Sequence, residues 1–270
     1  MIPNYIFQTW KTKTNIDPIR SKYVKSIKQY NPSMKYYLYD DQDCDTFVKD
    51  KFPKYYPYYQ KLELPVQKAD LWRYLVIYYY GGYYLDIDCI SVKSFSKLIK
   101  KYNKDKDYDD CNDLLIIEVE NPAPLKFING FPRNPQYAQY WFGATPRHPA
   151  ILEVIKLVIR NIRNIKDHDH DHNNISDEET LFLTGPVPWT DGITKYEKNK
   201  KDSSIYKIKQ NIYDTIAVPF NTQLIYKHKN TPVIHKCAGS WRLPSSNRKF
   251  FIIFFVIIII LLLLLIVYFK

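Results

Sequence analysis

LPVQKADLWRYLVIYYYGGYYLDID occupies residues Leu64 to Asp88. Pro65 can open a helix, because its missing N–H falls among the donors a first turn leaves unused. Apolar residues then recur at Ala69, Trp72, Leu75, Val76 and Tyr79, the spacing of one helical face. Gly81-Gly82 ends the run with residues able to take positive φ. The next segment, Tyr83 to Ile87, reads as a buried strand. Asp70 and Arg73 are three residues apart and so share one face of the helix. Tyr84, Asp86 and Asp88 alternate and so share one side of the expected strand. Two carboxylates that close stay ionised together only with a cation or donors between them. The plainer alternative is a strand that ends here, leaving Asp86 and Asp88 as solvated turn residues.

Working outward, other elements follow from local signals. Pro3 to Trp10 reads as a first buried strand. Asp17 to Tyr30 is a helix with Asp17 as N-cap and Pro18 first. Lys35 to Tyr39 is a strand and Gln42 to Lys51 a helix. Leu114 to Val119 and Pro149 to Ile165 supply a further strand and helix. Alternation of strands and helices predicts an α/β sheet with helices packed on it. The tract KDHDHDHNN, residues 166–174, alternates His168, His170 and His172. It reads as a low-complexity loop rather than a chelating site, since no apolar neighbours would preorganise it.

Composition limits the functions open to the chain. It has 270 residues, 46% hydrophobic, with 25 tyrosines, 7 glycines and a formal charge of +11. Tyrosine with abundant Lys, Asn and Ile fits AT-rich coding, which inflates the charge. The lysines form no basic stripe with interleaved aromatics, so nucleic acid is not an expected partner. Cys44, Cys89, Cys111 and Cys237 form no CxxC pair, which favours a reducing compartment over a disulfide framework. Phe250 to Phe269, FFIIFFVIIIILLLLLIVYF, carries no charge. As a helix it would span about 30 Å, the thickness of a bilayer's hydrocarbon core. PSSNRK, residues 244–249, is the linker into it. The expectation is therefore a domain over residues 1–243 and a single-pass anchor over 250–269. No charged-then-apolar segment opens the chain. Arg242, Arg248 and Lys249 before the span, against Lys270 after it, place the N-terminal side in the cytosol.

Asp70, Arg73, Tyr84, Asp86 and Asp88 do not balance as an ion pair. They suit a divalent cation and a diphosphate, since a hard cation takes carboxylate oxygens and arginine takes phosphate. KADLWRYLVIYYYGGYYLDID resembles the signature of DxD glycosyltransferases. In particular it is similar to the family of initiating α-1,6-mannosyltransferases and inositol-phosphoceramide mannosyltransferases. IPNYIFQTWKT (Ile2–Thr12), PQYAQYWFGATPRHPAI (Pro135–Ile151), LTGPVPWTDGITKY (Leu183–Tyr196) and HKCAGSW (His235–Trp241) resemble that family's other motifs, in order. Arg147 departs from it, standing where the family usually has glycine.

The resemblance implies a GT-A-like domain with a mixed Rossmann-like sheet, acting as a retaining, metal-dependent mannosyltransferase. The implied donor is a nucleotide sugar, GDP-mannose foremost, and the implied acceptor a glycan or glycolipid. Trp10 would stack on the base, Asp70 would hold sugar hydroxyls and Arg73 the sugar or its phosphate. Asp86 would contact ribose or sugar, and Tyr84 would also line the donor site; Asp70, Arg73 and Asp86 form the implied catalytic set. Asp88, with Asp86, would ligate the metal, Mn²⁺ before Mg²⁺. His235 or Ser240 would complete its shell and Trp241 would close over the diphosphate. Gln139, Thr184 and Asp191 would line the acceptor side. Front-face attack and double displacement both stay open. A non-catalytic, membrane-anchored binder of sugar nucleotides or glycans is the alternative; the intact charged set weighs against it. The family's best-known members work in the secretory lumen, the opposite side from the one the flanking charges favour.

Overall fold

The computed structural model describes residues 1–105, 113–120, 132–165, 177–199, 204–209 and 231–236. The Asp-His tract, Ser240, Trp241, the linker and the Phe250–Phe269 run lie outside them. Among the described residues, no helix is long and apolar enough to cross a membrane. One compact unit runs from Met1 to Ala238.

The N-terminal elements follow the sequence signals closely. Strand β1 (Tyr5–Thr9) precedes helix α1 (Pro18–Tyr30), whose Asp17 carboxylate accepts the amides of Ile19 and Arg20. Strand β2 (Lys35–Tyr39) leads into α2 (Asp41–Lys51), opened by a capping box between Asp40 and Asp43. Short α3 (Tyr56–Gln60) precedes α4 (Pro65–Tyr80), β3 (Gly82–Leu85), β4 (Cys89–Ser91) and α5 (Phe95–Asp105). Then come β5 (Leu115–Glu120), β6 (Gln136–Tyr137), β7 (Trp141–Ala144) and α6 (Pro149–Arg163). Helices α7 (Asp177–Leu183) and α8 (Pro186–Asn199) and strands β8 (Ile205–Lys209) and β9 (Val233–His235) complete them.

The main sheet runs β2-β1-β3-β7-β5-β6, with β8 paired to β5. β2, β1 and β3 are parallel, β7 is antiparallel to both β3 and β5, and β8 is parallel to β5. The α/β class is the one expected from the alternation, and the mixed sheet is the one the resemblance implied. Pleating sends Phe7, Tyr84, Phe142, Leu115 and Ile117 into a core shared with α2, α4, α6 and α8. Ile6, Tyr83, Leu85, Trp141 and Ile116 face the opposite core with Ile27 of α1 and Phe95 of α5. A helical layer on each face explains why the strands are apolar on both sides.

Two expectations need correcting. β3 ends at Leu85, not Ile87, and the Cys89 amide donates to the Asp86 carbonyl at 3.1 Å. Asp86 and Asp88 are thus brought together by a turn and not by strand alternation, yet Asp88 is buried. α4 is likewise not amphipathic: Asp70, Leu71, Trp72, Arg73, Tyr74, Leu75, Val76 and Ile77 are all buried, so its charged face points inward. The turn out of α4 needs glycine. Gly81 (φ 66°) would set a Cβ 2.7 Å from Pro146 Cδ, and Gly82 (φ 101°) one 2.8 Å from the Tyr5 carbonyl oxygen.

Candidate active site

Topology assembles the site at the C-terminal ends of β1 and β3, where open α/β sheets place their ligands. α4 runs back along the sheet, so its early turns reach these strand ends. Arg73 Nη2 lies 2.9 Å from Asp70 Oδ1 and 3.3 Å from Asp86 Oδ1. Its guanidinium sits 4.7 Å from the centre of the Tyr84 ring, and the Tyr84 hydroxyl donates to Asp86 Oδ1 at 2.6 Å. Gln8 of β1 donates to the Asp86 carbonyl at 2.8 Å and is itself held by the Tyr36 hydroxyl at 2.7 Å. The turn that carries Asp86 is therefore fixed from β1, β3 and α4 together.

Gln139 and Thr184 join this cluster through Asp70. Thr184 donates to Asp70 Oδ2 at 2.9 Å and Gln139 Nε2 to Asp70 Oδ1 at 3.2 Å. Gln139 also bonds the Tyr74 hydroxyl, which donates to the Thr184 carbonyl at 2.9 Å. Both residues thus brace the buried Asp70 carboxylate. Asp191 is engaged elsewhere: Arg133 grips it with two bonds of 2.7 Å. It lines a separate cavity of about 330 Å³ with Thr194, Lys195 and Lys198. Trp10 follows β1 directly. Its amide donates to the Tyr39 carbonyl at 3.0 Å, and the Arg20 guanidinium lies 4.4 Å from the centre of its ring.

The far end of the chain supplies the last member. β4 and β9 pair antiparallel with Cys89 opposite His235, and the Lys236 amide donates to the Asp88 carbonyl at 3.0 Å. His235 Nε2 consequently lies 3.2 Å from Asp88 Oδ1. Ligand atoms of Asp86, Asp88 and His235 all fall within 4.8 Å of one another. Two carboxylate oxygens and an imidazole fit a divalent ion of the Mg²⁺–Mn²⁺ type.

Electrostatics mark these as costly positions. Burial lifts Asp70 to about 6, against the opposing pull of Arg73 and Thr184. Burial also raises Asp86; Arg73 pulls it down and the Asp88 charge pushes it up again. Burial would lower Arg73, but Asp86, Tyr84 and Asp70 overcome it and keep the guanidinium charged.

Residues 19–105 match the family described as a glycosyltransferase sugar-binding region containing a DXD motif. That span holds Asp70, Arg73, Asp86 and Asp88. The initiation-specific alpha-1,6-mannosyltransferase of Schizosaccharomyces pombe is 30% identical over 201 residues, covering 72% of this chain and 48% of that protein. An uncharacterized glycosyltransferase of Acanthamoeba polyphaga mimivirus is 26% identical over 239 residues, covering 85% of this chain and 82% of its own length. The chain spans about half the length of the yeast initiation-specific relatives, 48% and 54%. Among solved structures, the PaToxG glycosyltransferase aligns over 73% of this chain and 71% of its own, with TM-score 0.46 and 19% identity. That likeness is too distant to bear on substrate.

Several residues of the DXD site escape a sequence reading. Gln8 holds the Asp86 turn by its side chain, and Tyr140 holds it by its backbone carbonyl, which accepts the Asp86 amide at 2.8 Å. Tyr74 locks Gln139 and Thr184 together. Gln8 and Tyr140 lie inside quoted motifs, so proximity to motif residues was the only available signal.

Proposed function

We propose that the chain is a metal-dependent glycosyltransferase. It moves a hexose, most simply mannose, from a nucleotide-diphosphate sugar to a glycan or glycolipid acceptor. The observation that carries this reading is the convergence of Asp86, Asp88 and His235 beside the buried Arg73. An unoccupied binder has little use for two acids at that distance, because they repel and lose hydration.

In this reading Asp88, Asp86 and His235 hold Mn²⁺ or Mg²⁺. When bound, the ion neutralises charge on the diphosphate leaving group. Arg73 stabilises the developing negative charge of that leaving group without reorganising, since Asp70, Asp86 and the Gln139 carbonyl (3.2 Å from Nη1) already fix it. Asp70 keeps lone pairs for sugar hydroxyls even with three protein donors on its two oxygens. Trp10, at the end of β1, supplies an indole for the base, with Arg20 behind it. The names of the mannosyltransferase relatives support mannose; retention of configuration and GDP as the nucleotide rest on the family resemblance alone. Phe250–Phe269 anchors the domain to a membrane, and its basic flank favours the cytosolic face.

A donor-hydrolysis screen tests the reading: the detergent-solubilised chain with Mn²⁺ and GDP-mannose, UDP-glucose, UDP-galactose or UDP-N-acetylglucosamine. Sugar release from one of them, GDP-mannose foremost, is the expected result. Binding of a donor with no release from any of them, with or without candidate acceptors, would favour the non-catalytic binder instead.

A further inference from the structure

We propose that Glu118 is a positioning residue for His235, setting through Tyr140 and Thr231 where β9 presents the imidazole to Asp86 and Asp88. The inference rests on the reading of those three residues as a cation site. Glu118 interrupts the apolar run of β5 and is 1% exposed. A carboxylate buried in mid-strand costs stability unless donors surround it. Here the Tyr140 hydroxyl (3.2 Å), the Trp141 indole N–H and the Thr231 hydroxyl (3.0 Å) all converge on its Oε2.

The two segments gathered by that one oxygen are those that bound the cation cluster. Tyr140 stacks on the His235 ring, with centroids 4.3 Å apart and planes 13° off parallel. Its carbonyl also accepts the Asp86 amide. Thr231 stands two residues before β9, and its hydroxyl lies 3.0 Å from the Val233 carbonyl oxygen and 3.3 Å from the Val233 nitrogen. β9 itself has three residues, too short to fix a side chain unaided. Glu118 reaches the His235 ring and the Asp86 amide by way of Tyr140, and β9 by way of Thr231. It acts through these neighbours, as a partner one shell out from a metal does.

The test reads Mn²⁺ affinity directly, from the electron paramagnetic resonance signal of free Mn²⁺, in the detergent-solubilised chain. Glu118→Gln keeps the shape and removes the charge, and is expected to weaken Mn²⁺ binding by about tenfold. In a His235→Ala background the same change is expected to leave Mn²⁺ affinity within about twofold, since its route of action is gone. Thr231→Val removes one hydroxyl and carries the same two comparisons if Glu118→Gln fails to fold. Wild-type Mn²⁺ affinity in the single variants, or an equal loss in both backgrounds, would overturn the proposal while leaving the cation site intact. Wild-type protein that binds no Mn²⁺, or His235→Ala binding as tightly as wild type, would instead bring down the cation reading and this inference with it.

Discussion

Asp70 illustrates how a single residue reports on the site. An ordinary aspartate titrates near 3.8, and burial moves this one to about 6. The folded state thus holds the proton more tightly than the unfolded chain. Between these values folded protein binds more protons, so on this group's contribution stability falls as pH rises from 3.8 to about 6. Asp70→Asn should remove that part of the slope in denaturant melts without added metal. Donor hydrolysis has the opposite dependence, because only ionised Asp70 pulls on Arg73. The kcat/KM of the wild type should rise through pH about 6. The Asp70→Asn profile should be lower and lack that limb. An unchanged limb in the variant would assign the titration to another group.

At the scale of elements, the turn joining β7 to α6 makes a sharp case. Pro146 precedes Arg147, which has φ 58°. A proline followed by a positive-φ residue is the pattern of a type II turn, whose second central position suits glycine. The Arg147 amide bonds the Tyr78 carbonyl at 2.7 Å, tying this turn to the end of α4. A glycine at this position would meet the backbone need without a Cβ penalty, so Arg147 carries strain. Arg147→Gly should raise stability by roughly 0.5–1 kcal/mol, the left-handed penalty less glycine's entropic cost. Arg147→Ala should not. Equal midpoints for all three proteins in urea would remove strain as the explanation.

Elements set by local chemistry were the legible ones. Asp17 and Pro18 open α1, Pro65 opens α4 and Gly81 closes it, because caps and breakers act within one turn. The strand end at Leu85 was misread, since nothing local distinguishes a strand from the turn that follows it. β4, β9 and the short β6 were missed for a related reason. Each has two or three residues and exists through a partner far away in sequence. The aspartate pair could be read as a site, and His235 was joined to it only through a resembling motif. That Glu118 and Tyr140 stand behind His235 depends on sheet register, which spacing does not encode.

The whole molecule joins a mixed α/β sheet, carrying the charged cluster at its strand ends, to a C-terminal apolar run. If residues 250–269 span a membrane, full-length protein should stay in the pellet after alkaline carbonate extraction, and a chain cut at residue 245 should not. Release of the full-length chain by carbonate would remove the anchor from the proposal. The catalytic reading depends on the cation site, and Asp88 is where it is most exposed to test. Its carboxylate faces His235 and adds to the charge that Asp86 already bears. The decisive measurement is sugar release by Asp88→Asn beside wild type, each with Mn²⁺ and with EDTA, alongside metal-free melting. Loss of release in the variant and in EDTA, with a melting temperature no lower than wild type, is the predicted result. Wild-type release by Asp88→Asn in EDTA would contradict it.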